Sequence, residues 1–405
     1  MAIAATANSP ATQLPSGVRD PRLDFYRGIA MFIIYISHTP NNWWGDWIPG
    51  RFGFSDATEI FVFCSGMASA IAFGRSFDNR GWWLGTARVG YRVWQIYWAH
   101  LALFFFCAML LVSADTFGNF ENNYVNGLNL GRFFTDTGPL LIGLFTLTYV
   151  PNFFDILPMY MVLLLLMPLV MLLARINLWI VAAFCLTIWF LAQSRLLDML
   201  GLDILHISLP AEPWSDRPWF FNPFAWQLVF FTGFAFMRGW LPKPPINALW
   251  ITVASGLLIA MFFVSHIAIR EFSWSWSSDW RTANQAWISK TEIGAIRFLH
   301  FLSLAYIAWV VAGENGRRLI VTGTTTLHKA WAWIIRQCTK VGQQSLAVFL
   351  VSIALSRFSG FVLDLAGNGA WPVAAVNVLG CAFLLGIAYM AAWFKSQPWR
   401  KSATG

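Results

Sequence analysis

The sequence predicts an all-α polytopic membrane protein of about ten transmembrane helices, with both termini cytoplasmic. Three observations carry that prediction. Hydrophobic residues make up 58% of the 405 residues and charged residues only 11%, where a soluble chain carries about 25% charged. Apolar runs recur at the length a bilayer-crossing helix needs, about 20 residues. Lysine and arginine then sort to one side of those runs, as they do in cytoplasmic loops. Together these exclude disordered, fibrous and disulfide-stapled classes. They also give the net charge of +8 a membrane explanation, with no nucleic-acid partner needed.

Residues 1–22 are polar and lack the apolar core of a signal peptide, so they are expected to form a cytoplasmic tail. The membrane domain is expected over 23–394, followed by a basic cytoplasmic tail at 395–405. Its spans are read at 23–39, 56–74, 89–113, 154–174, 177–194, 222–240, 247–269, 293–312, 341–360 and 372–394. Segment 138–150 is apolar but too short to cross, and Pro139 and Pro151 bracket it, which suits a re-entrant or interfacial piece. No internal repeat is visible, which weighs against an inverted-repeat transporter. Of the 27 Lys and Arg residues, seventeen fall in the proposed cytoplasmic segments or, as Arg92 and Arg238 do, at the cytoplasmic ends of spans, seven in exterior loops and three, Arg27, Arg297 and Arg357, deeper within spans. That asymmetry sets the orientation. The five cysteines are scattered, with neither a C-x-x-C pair nor metal-ligand spacing, and read as buried thiols; no metal is expected.

The long exterior loops are rich in Asn, Asp, Gly and Trp. Their tryptophans, Trp43 and Trp44 among them, fit either an aromatic belt at the lipid headgroups or a platform for sugar rings.

Ionisable groups within spans are costly and mark candidate sites. In the first span, Leu23-Asp24-Phe25-Tyr26-Arg27-Gly28 leads to Tyr35-Ile36-Ser37-His38-Thr39-Pro40. Eleven residues separate Arg27 from His38, close to three helical turns, so both leave one face about 16 Å apart. Asp24 lies one turn below Arg27, where it can pair with the guanidinium. Arg27 could equally snorkel to the headgroups and His38 cap the outer end. In the second span, Glu59 is either a helix-start residue or, at the depth of His38, a carboxylate that orients the imidazole. Gly66 suits close helix approach. Between the second and third spans, Arg75, Arg88 and Arg92 are either ordinary cytoplasmic charge or a phosphate clamp for a large anionic cofactor.

Four stretches resemble the integral-membrane acyltransferase-3 family, and most closely its OpgC-like branch of periplasmic glucan succinyltransferases. They are Arg27 with His38; Glu59-Ile60-Phe61-Val62-Phe63-Cys64-Ser65-Gly66, with cysteine where leucine is more usual; Arg88 and Arg92 through His100; and Gly342-Gln343-Gln344-Ser345-Leu346-Ala347-Val348-Phe349. The resemblance implies about ten helices in a bacterial inner membrane. It also implies acyl transfer from a cytoplasmic acyl-CoA, succinyl-CoA above all, to hydroxyls of an extracytoplasmic glycan. His38, Glu59 and Arg27 would then be the catalytic group. Arg75, Arg88 and Arg92 would hold the CoA phosphates, while Asp24, Trp43 and Trp44 would contribute to substrate binding. Two alternatives stand beside it: O-acetylation of another envelope polysaccharide, and a transporter or flippase that uses the same charges as a polar pathway.

Overall fold

Local chemistry sets the boundaries of the first two helices. In the computed structural model, which describes residues 20–118, 120 and 122–400, helix α1 (Pro21–His38) starts on a proline. The Asp20 side chain accepts from the Arg22 backbone N–H at 3.0 Å. Helix α2 (Ala57–Ser69) opens on a capping box: Asp56 accepts from the Thr58 N–H, and Glu59 accepts from the Asp56 N–H at 2.8 Å. It continues through a π turn (Ala70–Gly74) into α3 (Arg75–Phe117), which Gly81 interrupts at φ 78°.

The remaining helices of ten residues or more are α4 (Thr137–Thr146), α5 (Ile156–Ile176), α6 (Leu178–Leu191), α7 (Pro223–Arg238), α8 (Ala248–Phe262), α9 (Ala295–Ala312), α10 (Thr326–Gln343), α11 (Ser345–Ala366) and α12 (Ala370–Ser396). Among the described residues there is no strand, only an isolated bridge between Pro210 and Pro218. The all-α membrane class stands, and each predicted span lies largely on helix.

Crossing length is less uniform than the sequence reading had it. Among the described residues, five helical runs are long and apolar enough to cross a bilayer alone: 57–117 as one run, α5, α9, α11 and α12. Helix α8 with the short helix His266–Phe272, bent by 48°, makes a sixth. Helices α6 and α7 have only 14 and 16 residues, short of the usual 20 or so. Segment 138–150 contains the ten-residue α4, too short to cross, as expected.

The stretch between the last three predicted spans also differs. Residues 326–343 form an amphipathic helix, α10, that buries Ile335, Cys338, Val341 and Gly342 and presents Arg336 and Lys340 on another side. Helix α11 then starts at Ser345, four residues later than the predicted span.

Two glycines bring α1 and α10 into backbone contact. A Cβ on Gly28 would lie 1.9 Å from the Cys338 carbonyl oxygen, and one on Gly342 would lie 1.8 Å from that of Asp24. Gly66 serves α2 in the same way against the Phe230 carbonyl, at 1.9 Å, the close approach read for it from sequence. Gly342→Ala is therefore expected to push α1 and α10 apart at a cost of about 1–3 kcal/mol. The solubilised variant should melt several degrees lower; an unchanged melting temperature would show that the two helices do not meet this closely.

The core is aromatic and aliphatic: Met31, Tyr35, Phe104, Trp226, Phe230 and Phe234 have no exposed surface. Trp83, Trp179, Leu249 and Phe383 are exposed on helices, the arrangement expected where lipid rather than water faces the protein. All five cysteines are free, four of them buried.

Candidate active site

Thr39 and Pro40 end α1, and the chain then turns through Asn41 and Asn42 into a short 3-10 helix, Trp43–Trp47. This places His38 at the rim of a cavity of about 470 Å³ formed by the end of α1, the 122–128 segment, Phe153 and α11.

The His38 ring is held from its own helix. Its Nδ1 lies 2.8 Å from the Ile34 carbonyl oxygen and 3.1 Å from the Ser37 hydroxyl. A carbonyl can only accept, so Nδ1 carries a hydrogen, and in the neutral ring Nε2 then carries the lone pair. The imidazole also packs edge-on against Phe153, with centroids 5.3 Å apart. A neutral imidazole of fixed tautomer beside a cavity can take a proton from a bound hydroxyl.

Glu59 does not orient this imidazole. It is fully buried and holds Arg297 of α9, whose guanidinium donates to Oε1 at 2.7 Å, while Oε2 serves the capping box. Both carboxylate oxygens are thereby occupied. Around this pair, Lys290 binds Asp56 at 2.6 Å, and the Ser55 hydroxyl lies 2.6 Å from His300 Nδ1. The cluster joins the start of α2 to α9 across more than 230 residues of chain, so its role in the geometry is to fix the helix ends near the cavity.

Arg27 is also buried and donates from Nη2 to the Cys64 carbonyl of α2 at 2.8 Å. Together with the buried Asp24 it lies at the far end of α1 from His38 and does not line the cavity. Trp43 and Trp44 stand beside the cavity but do not line it; Trp43 is exposed, Trp44 half-buried, and Asn42 and Asn377 pin the turn before them through paired amide hydrogen bonds at 2.8 and 3.0 Å.

The three arginines read as a clamp all lie on α3. Arg75 is exposed, Arg88 donates to the Ser76 hydroxyl at 2.5 Å, and Arg92 donates to Gln95 at 3.0 Å. A second recess of about 470 Å³ lies between α10, α12 and the 319–321 segment, with Arg336 and Lys340 over an apolar floor of Leu319, Val321 and Ile335. Lys340 sits 5.2 Å from the centre of the Tyr389 ring.

Sequence reasoning missed the residues opposite His38. Asp364 of α11 accepts from Asn41, Asn122 and Tyr124 at the cavity wall. Arg357, one of the three arginines noted within spans, donates from Nη2 to the His38 carbonyl oxygen at 2.5 Å. The signal was present, since Arg357 and Asp364 are seven residues apart and so share a helix face. Among the described residues, no group of three or more His, Cys, Asp or Glu is placed to hold a metal ion.

The family model described as OpgC protein matches residues 19–396. No curated protein and no solved structure matches the chain.

Proposed function

Because the chain belongs to the OpgC family, we propose that it is a membrane O-acyltransferase, moving a succinyl group from cytoplasmic acyl-CoA to hydroxyls of an extracytoplasmic glycan. The observation that carries this reading is His38: an imidazole whose Nδ1 is held on the Ile34 carbonyl, at the wall of a polar cavity large enough for a sugar unit. Ten spans with both termini cytoplasmic, in a bacterial inner membrane, complete the topology.

In the proposed reaction the glycan hydroxyl oxygen attacks the thioester carbonyl carbon as His38 Nε2 takes its proton. The tetrahedral intermediate collapses, the C–S bond breaks, and the proton passes from His38 to the departing CoA thiolate. The products are an acylated glycan and free CoA. Asn41, Asn122, Tyr124 and Asp364 supply hydrogen-bonding groups suited to sugar hydroxyls. Trp43 and Trp44 would stack a sugar extending beyond the cavity.

At the opposite end of α1, Arg336 and Lys340 offer charge for the donor's phosphates, as do the exposed Arg75 and Arg88 and the half-buried Arg92. Arg27 lies between the two ends. In this reading it positions α1 against α2 and keeps positive charge along the donor's path.

The test is direct. Purified protein in lipid nanodiscs, given succinyl-CoA and a neutral β-glucan, should release free CoA thiol and add succinyl groups to the glucan in equal amounts. Thiol release without glucan acylation, or neither, would overturn the reading.

A further inference from the structure

Arg357 is 8% exposed and buried in α11. Its guanidinium donates to the His38 carbonyl oxygen and lies 4.5 Å from the centre of the Phe153 ring, and its Nε has no hydrogen-bond partner. Among the described residues no carboxylate lies within ion-pair distance of it, whereas Arg22, Arg217, Arg238 and Arg297 each have one. Asp364 shares the cavity with it but is engaged by Asn41, Asn122 and Tyr124. A buried guanidinium without a counter-charge is costly, and the group that repays the cost is an anion entering the cavity.

Phe153 decides which anion. One part of its ring meets the His38 imidazole, with centroids 5.3 Å apart, while the Arg357 guanidinium lies over the ring at 4.5 Å. An acyl group whose reacting carbonyl sits by the imidazole can therefore run a short methylene chain along Phe153 and set a terminal carboxylate on the guanidinium. We infer that Arg357 is the specificity-determining residue of the donor, binding the free carboxylate of a short dicarboxylic acyl thioester and so selecting succinyl over uncharged acyl groups. An acetyl group is too short to reach it, and a longer monocarboxylic chain would lay hydrocarbon on an unneutralised cation.

This inference rests on the acyltransferase reading, and the experiment separates the two. In nanodiscs with a neutral glucan acceptor, kcat/KM is measured for succinyl-CoA, acetyl-CoA and butyryl-CoA, the last having the same chain length but no carboxylate. The wild type should favour succinyl-CoA over butyryl-CoA. Arg357→Gln should lower kcat/KM for succinyl-CoA by roughly 10- to 100-fold, the worth of one charge-assisted hydrogen-bonded contact. Its acetyl transfer, which loses only the bond from Arg357 to the His38 carbonyl, should fall far less than its succinyl transfer, and its melting temperature reports that the variant folds. Arg357→Lys should restore part of the succinyl preference.

A wild type that transfers butyryl as well as succinyl overturns the inference without any variant. Equal losses for all three donors in Arg357→Gln also overturn it, since an oxyanion-stabilising or structural role would act on every donor alike. Either result leaves the acyltransferase reading standing. A wild type that transfers none of the three donors overturns both.

Discussion

His38→Gln is expected to lower acyl transfer by about 10²- to 10⁴-fold, the usual worth of a positioned general base, with the protein still folded in the membrane. Glutamine can keep a hydrogen bond from its amide to the Ile34 carbonyl, which His38 now makes at 2.8 Å, but it offers no basic nitrogen. The loss should fall on kcat more than on KM, because the imidazole acts on the proton in transit and not on either ground state. Thiol release from succinyl-CoA in the presence of glucan reads it directly. A variant within a few-fold of wild type would remove His38 from the mechanism.

The largest stability effect is expected at Glu59. Glu59→Gln keeps an oxygen for the capping box but leaves the Arg297 guanidinium, now 2.7 Å from a buried carboxylate, without its counter-charge. Breaking one side of a buried pair typically costs about 3–5 kcal/mol. The variant should therefore accumulate poorly and melt well below the wild type in detergent. Replacing both residues, as Glu59→Gln with Arg297→Met, should recover much of the loss, because no uncompensated charge is left behind. If the single variant proved as stable as wild type, the pair would not be holding α2 to α9. If it were stable but inactive, Glu59 would have a chemical role that its hydrogen bonds do not suggest.

Local spacing made single helices legible. The eleven-residue interval from Arg27 to His38, a helix start at Glu59, and the small residue at Gly66 all depend on one helix at a time. Periodicity is enough to read those. Alternating spans gave Glu59 an expected depth, near that of His38, but no azimuth. Whether Glu59 turns toward α1 or α9 depends on how helices far apart in sequence pack, and its partner Arg297 is 238 residues away.

The same limit hid Arg357, which meets His38 across 319 residues. Nothing in the spacing of either segment states that contact. The amphipathic α10 was missed for a different reason: its basic and polar residues lower its hydropathy, so a search for uniformly apolar runs passes over it. The arginines at 75, 88 and 92 lie on α3, where Arg88 reaches back to Ser76 beside Arg75 and Arg92 donates to Gln95.

The central claim is transfer across the membrane, from a donor on one side to an acceptor on the other. It is tested most directly in sealed vesicles holding the protein in one orientation, with succinyl-CoA supplied only at the face of Arg336 and Lys340 and glucan only at the face of His38. Mass spectrometry of the glucan should then show added succinyl groups in proportion to the CoA thiol released on the donor side, and none with His38→Gln. Glucan that crosses the membrane unmodified, or acylation that requires both substrates on the same side, would contradict the account.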